Sequence, residues 1–171
     1  QRRIIFTALE EITKIAFARV YKTNTSGFSE DFLKRLMYLT DGKINIMHQD
    51  NGSEFKGAFE RTCKTLGILQ IYSRPYTPKD NPALEEFNGT IQREWLGLSK
   101  VGLDDIDEAN KDLTTWLIKY NSYRPHETLD YKTPLEYAQE TFFKVLPMWS
   151  AGTTTCQKLG HLACLAARRA S

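Results

Sequence analysis

Two acids are the residues best suited to chemistry. The stretch His48-Gln49-Asp50-Asn51-Gly52-Ser53-Glu54-Phe55 follows a short apolar run of Ile44, Ile46 and Met47, so Asp50 falls where a strand stops. Asn51-Gly52 supplies the turn, because both residue types tolerate positive φ. A second stretch, Asn81-Pro82-Ala83-Leu84-Glu85-Glu86-Phe87-Asn88, places Glu85 near the start of an amphipathic helix. A carboxylate at a strand end and another on a helix are both held by rigid elements. Hard cations such as Mg²⁺ want oxygen ligands and keep several waters, so the pair suits a divalent-cation site. Taken singly, Asp-Asn-Gly is ordinarily a turn and Glu85 a solvated helix residue.

The elements that must position these acids follow from periodicity. Residues 3–9 and 14–21 are apolar and β-prone, with a polar link of Glu10, Glu11, Ile12 and Thr13, and predict two antiparallel strands. Ser29 is the expected N-cap of the next helix, with Glu30 and Asp31 in its first turn, and Asp41-Gly42 ends it. Residues 44–48 predict a strand leading to Asp50. Residues 55–66 predict a helix with Phe55, Phe59, Cys63 and Leu66 on one face and Gly67 as its cap. A strand at 68–72 and a Pro-rich loop at 73–82 then lead into the helix of Glu85, expected to run to about residue 98. Residues 105–120 predict a further helix, and Thr133-Pro134 opens a last short one.

At 171 residues, 41% hydrophobic and 26% charged, the chain has the length and composition of one globular domain. No apolar run approaches the roughly 18 residues of a membrane span. The net charge of +2 is carried by Lys158, Arg168 and Arg169 near the C-terminus. Without those three the acids outnumber the bases by one, so total charge is no argument for nucleic-acid binding, and any DNA contact must come from local placement. Cys63, Cys156 and Cys164 have no zinc-finger spacing, and a reducing cytosolic compartment is the simplest reading. Residues 146–171 change character and predict a weakly ordered or foreign tail after a domain of residues 1–145.

The first stretch resembles the second-carboxylate motif of the integrase core domain, shared by retroviral integrases and bacterial insertion-sequence transposases. Thr77-Pro78-Lys79-Asp80-Asn81-Pro82, followed by Glu85-Glu86-Phe87-Asn88-Gly89-Thr90, resembles the third-carboxylate motif. Asn121, Arg124-Pro125-His126, Leu129 and Thr133-Pro134 resemble the segment that follows in the bacterial enzymes. Asp50 and Glu85 lie 35 positions apart, close to the family interval. The resemblance spans residues 3–138 and implies an α/β, ribonuclease-H-like fold: a mixed sheet of about five strands flanked by helices. The family's first acid is an Asp on the first strand. No Asp precedes Asp31 here, so that strand is expected upstream of Gln1.

The resemblance further implies DNA 3′-end cleavage and strand transfer, with Asp50 binding one Mg²⁺ or Mn²⁺ and Glu85 a second, and the absent Asp bridging both. Two acids alone should hold metal weakly, so the chain by itself is expected to be inactive or nearly so. Double-stranded DNA, both element ends and target, is the implied partner, with a homo-oligomer assembled on it in the bacterial cytoplasm. Asn88, Gln92 and Arg93 on the Glu85 helix and Lys79 before it are the candidate DNA contacts. His48 either supports Asp50 or makes an ordinary strand-end hydrogen bond; Asn51 is the other candidate support. A nuclease of the same fold and a non-catalytic DNA-binding remnant are the alternatives.

Overall fold

β1 (Arg3–Glu10) and β2 (Ala16–Tyr21) form the expected antiparallel hairpin, with Ile4 opposite Tyr21 and Leu9 opposite Ala16. The structure is a computed structural model and describes residues 3–74, 81–141 and 148–156. Glu10 braces the hairpin turn: its Oε2 accepts from the Thr13 N–H (2.5 Å) and Thr13 Oγ1 (2.6 Å).

α1 (Ser26–Leu39) begins earlier than its sequence suggests, with Thr25 at the N-cap position. Ser29 is therefore not the cap. It lies inside the helix, fully buried, and its hydroxyl donates to the carbonyls of Ser26 and Glu54. β3 (Ile46–Gln49) follows and ends at Asp50. The helix expected at 55–66 is broken in two. Ser53–Phe55 is one 3₁₀ turn, Gly57 takes φ +63°, and α2 spans Ala58–Thr65. The left-handed glycine prevents a continuous helix. Phe55, Phe59 and Cys63 are buried, whereas Leu66 is 45% exposed beyond the last turn. β4 is Leu69–Tyr72. α3 (Pro82–Thr90) runs into a π-helical turn at Ile91–Leu96, α4 is Ile106–Ser122 and α5 is Pro134–Thr141.

The sequence offered no element beyond residue 150, yet Met148–Cys156 forms β5, and it lies in the middle of the sheet. The order is β2-β1-β5-β3-β4. β5 pairs antiparallel with the whole of β1 and parallel with β3, setting Thr7 opposite Gly152 and Gln49 opposite Ala151. Flanking strands on both sides supply the pairing that Gly152 and three threonines would not promote locally.

Helices cover both faces. Ile5 and Leu9 pack with Leu84, Phe87, Ile91 and Leu113 on the α3/α4 side. Phe6 and Ala8 pack with Phe32, Leu33, Phe55, Phe59 and Trp149 on the α1/α2 side. Burying each of these large side chains contributes about 1.5–3 kcal/mol. Cys63 belongs to the second cluster, and burial pushes its thiol up to about 12. α4 also seals the sheet edge. Asn110 accepts from the Val20 N–H (2.8 Å) and donates to the Val20 carbonyl (3.1 Å). Asn121 does the same for Ala16, at 2.9 Å each way.

Candidate functional site

Asp50 is exposed at the open end of β3, beside β5. Its Oδ1 accepts the Gly52 N–H at 2.8 Å, which bends the chain away from the strand. The turn does not use positive φ, as the Asn-Gly pair suggested. Gly52 sits at φ −57°, ψ 143°, and Asn51 is absent from the left-handed residues. A side chain there would press on two neighbouring acids. A Cβ at position 52 would lie 2.7 Å from Glu54 Cδ and Oε2, and 2.8 Å from Asp50 Oδ1. Two carboxylates therefore converge on one point above Gly52. Glu54, an acid in the first turn of the 3₁₀ helix, is 7% exposed, and its Oε1 accepts from Thr153 Oγ1 at 3.2 Å. The spacing Asp50-x-Gly52-x-Glu54 was the available signal for this pairing.

Asn81 caps α3, its Oδ1 accepting from the Leu84 N–H at 3.3 Å, and Pro82 occupies the first turn. Glu85 then stands exposed, as does Glu86, while Phe87 is buried. α3 lies close against β5: a Cβ on Gly152 would come within 3.0 Å of Leu84 Cδ2. Among the described residues no group of three or more His, Cys, Asp and Glu side chains is placed to hold a metal, so Glu85 does not join Asp50 and Glu54 in such a group. Carboxylate oxygens are the donor type that a hard cation takes.

The other candidates separate by burial. Asn88 is 7% exposed and accepts from Thr7 Oγ1 at 2.8 Å, tying α3 to β1. Gln92 and Arg93 are exposed on the π-helical turn; Gln92 donates to Thr154 Oγ1, and Arg93 Nη2 lies 3.5 Å from Thr90 Oγ1. Lys79 lies outside the described residues. The Asn51 side chain donates to the Ser73 carbonyl at 2.8 Å and so ties the ends of β3 and β4 together. His48 takes the strand-end alternative: its Nε2 is 3.0 Å from Ser73 Oγ, and its Nδ1 is 3.5 Å from Glu11 Oε1. Glu11 also accepts from Ser150 Oγ at 2.6 Å, so this polar chain crosses β4, β3 and β5. The sequence carried no signal for it.

The Tyr123-Arg124-Pro125-His126 segment is a corner. Arg124 pairs with Glu94 and lies over the Tyr120 ring at 5.8 Å, and the His126 ring meets Tyr120 edge-on at 4.9 Å. Burial comes first, then the Arg124 charge, in lowering the affinity of His126 for a proton. Trp95, Trp116 and Trp149 pack in or against the two cores, and Trp95 donates to Asp112. No helix among the described residues is long and apolar enough to cross a membrane.

Comparisons with known proteins bear on the family and the fold. Residues 66–134, which include Glu85, match the family model described as the integrase core domain. The transposase for insertion sequence element IS904 of Lactococcus lactis is 30% identical over 94 residues, covering 54% of this chain and 36% of that protein. The putative transposase InsK for element IS150 of Escherichia coli is 31% identical over 98 residues, covering 57% and 34%. The chain thus spans about a third of the length of these curated relatives. Its fold is that of the catalytic core domain of BIV integrase, with a TM-score of 0.63 and 24% identity over 82% of this chain and 88% of the other. A chain of the simian T-cell lymphotropic virus intasome in complex with PP2A regulatory subunit B56 gamma superposes with a TM-score of 0.69 and 18% identity, covering 84% and 50%.

Proposed function

We propose that this chain, which resembles the integrase core domain in its family match, its transposase relatives and its ribonuclease-H-like sheet, is the larger part of the DNA-joining core of an insertion-sequence-type transposase. The observation that carries the reading is the placement of two acids. Asp50 ends a strand beside the central β5, and Glu85 is exposed on the helix that packs against the same strand.

Asp50 and Glu85 are the acids we assign to divalent cations, Mg²⁺ or Mn²⁺, one ion each. Such ions, when bound, activate an attacking oxygen and stabilise a leaving one. The protein's own task is positioning. The Asx turn at Gly52 aims Asp50 outward. The Asn81 cap and Pro82 fix the start of α3, and Asn88, held by Thr7, fixes its rotation against β1. Gln92 and Arg93 face solvent two turns further on, where they meet the phosphate backbone of duplex DNA without reading its sequence. Lys79 has the same assignment. The proposed substrates are element ends and target DNA in a bacterial cell, and the proposed working form is a homo-oligomer on paired ends.

Two lone acids hold Mg²⁺ weakly, so turnover by this chain is expected at or near background. The test pairs two measurements on the full chain with duplexes bearing candidate element ends. Fluorescence anisotropy should show duplex binding that falls steeply with salt. Any Mn²⁺-dependent nicking or joining should vanish in Asp50→Asn and in Glu85→Gln. No duplex binding at low salt overturns the assignment. Robust Mg²⁺-dependent joining overturns the expected deficit, and cleavage without joining favours a nuclease of the same fold.

A further inference from the structure

We infer that the outer edge of β4 docks a second copy of this chain, the two β4 strands pairing antiparallel about a two-fold axis at Ile71. The inference deepens the proposed function by naming a surface for its homo-oligomer. It rests on that reading for the purpose of the pair, not for its formation.

The sheet treats its two edges differently. At β2, side chains of α4 bond the outward backbone groups of Val20 and Ala16. β4 ends the sheet on the other side, and no described residue covers its edge in that way. Leu69 is 60% exposed, Ile71 41% and Tyr72 40%. No charged residue lies between Lys64 and Arg74, although lysine or proline is the usual protection of a bare edge.

The backbone pattern selects the register. The Leu69 N–H donates to the Asn45 carbonyl at 2.9 Å, and the Ser73 N–H to the Gln49 carbonyl at 2.8 Å. These residues turn inward to β3, so the N–H and C=O of Gln70 and Tyr72 point outward by alternation. A two-fold at Ile71 sets Gln70 opposite Tyr72 of the second copy, and Tyr72 opposite its Gln70. Both pairs then exchange backbone hydrogen bonds, and the exposed Ile71 side chains meet across the axis. Charge agrees with this arrangement. Burial first, then the Glu60 charge, raises the proton affinity of the Tyr72 phenol, which puts Glu60 of α2 toward that end of the strand. Lys64 lies at the other end, its carbonyl accepting the Gly67 N–H at 3.2 Å. The two-fold therefore brings exposed Glu60 toward exposed Lys64 of the second copy. Neither is in an ion pair among the described residues. An edge of four residues is a small interface, which suits a reversible pair.

The test uses the full chain without DNA. Sedimentation velocity across a wide concentration range should show a reversible monomer–dimer equilibrium. Hydrogen exchange at the Gln70 and Tyr72 amides should slow as concentration rises, while exchange at Ile71, already bonded to β3, stays the same. Ile71→Lys places like charges directly opposite one another and should weaken the dimer at least tenfold while melting cooperatively as a monomer. Directly opposed residues of this kind lie about 4.5 Å apart at Cα, within disulfide reach. Mild oxidation should therefore link Ile71→Cys into a covalent dimer, and should not link Leu69→Cys or the parent. A monomer at every concentration overturns the inference. So does a dimer that Ile71→Lys leaves intact, cross-linking of Ile71→Cys no better than that of Leu69→Cys, or open-ended assembly in place of a dimer. If duplex binding fails while this dimer pattern holds, the transposase reading falls and the β4 edge stands.

Discussion

Asn88 and Arg93 belong to one helical run, yet burial gives them opposite consequences. Asn88 lies four residues after Leu84, on the stripe that packs against the sheet. Its Oδ1 is the acceptor for Thr7 Oγ1, which is fully buried. Asn88→Ala should therefore cost about 1 kcal/mol, since it leaves the buried Thr7 hydroxyl only the longer bond to the Gly152 carbonyl, at 3.3 Å, and it should lower the urea midpoint. Arg93 is exposed, and Arg93→Ala should leave that midpoint alone while reducing the slope of log affinity against log salt for duplex DNA by about one. An Arg93 variant with an unchanged salt slope would remove this residue from the DNA surface. Sequence spacing from Glu85 put both residues near the acid. It could not say which side chain pointed inward, because that depends on where β1 and β5 lie.

At the scale of elements, much of the fold was legible. The hairpin, the strand ending at Asp50 and the cap of α3 follow from local patterns: period-2 apolar runs, an acid before a turn, and Asn before Pro. Thr133 and Glu136 reciprocally cap α5 as the Thr-Pro start suggested, at 2.8 and 3.3 Å. What could not be read were contacts made across the sequence. Asn110 and Asn121 look like polar residues on a solvent face, yet each replaces a missing strand at the outer edge of β2 by bonding one residue's N–H and C=O. Such a cover protects an edge from pairing with another chain. Val20 is 1% exposed, so its groups have no water to turn to. Asn110→Ala should cost about 2–3 kcal/mol, and Asn121→Ala, whose partner Ala16 is nearer the strand end, about 1–2 kcal/mol. Urea unfolding of the two variants measures both. Shifts under about 0.5 kcal/mol, the range of an ordinary surface substitution, would show that the edge does not depend on them.

At the scale of the molecule, the decisive element comes last in the described chain and sits in the middle of the sheet. β1 and β3 do not pair with each other; β5 joins the antiparallel half to the parallel half. Its sequence hid this role. Gly152 and the threonines are weak strand signals, and its apolar alternation reduces to Trp149 and Ala151, both buried on the α1/α2 side. The same strand braces the candidate site, because Thr153 holds Glu54 and Gly152 admits α3 to close range. Without β5 the sheet becomes two two-stranded pieces, and such pieces are marginal alone. A chain ended after Thr141 should then lose its cooperative thermal transition by far-ultraviolet circular dichroism. Trp149→Ala in the full chain is the graded version. It should cost about 3–5 kcal/mol yet keep a cooperative transition, because the strand's backbone pairing survives. A shortened chain that still melts cooperatively near the parent temperature would mean that the two halves of the sheet hold together without their central strand, and that Asp50 and α3 are positioned by the helices alone.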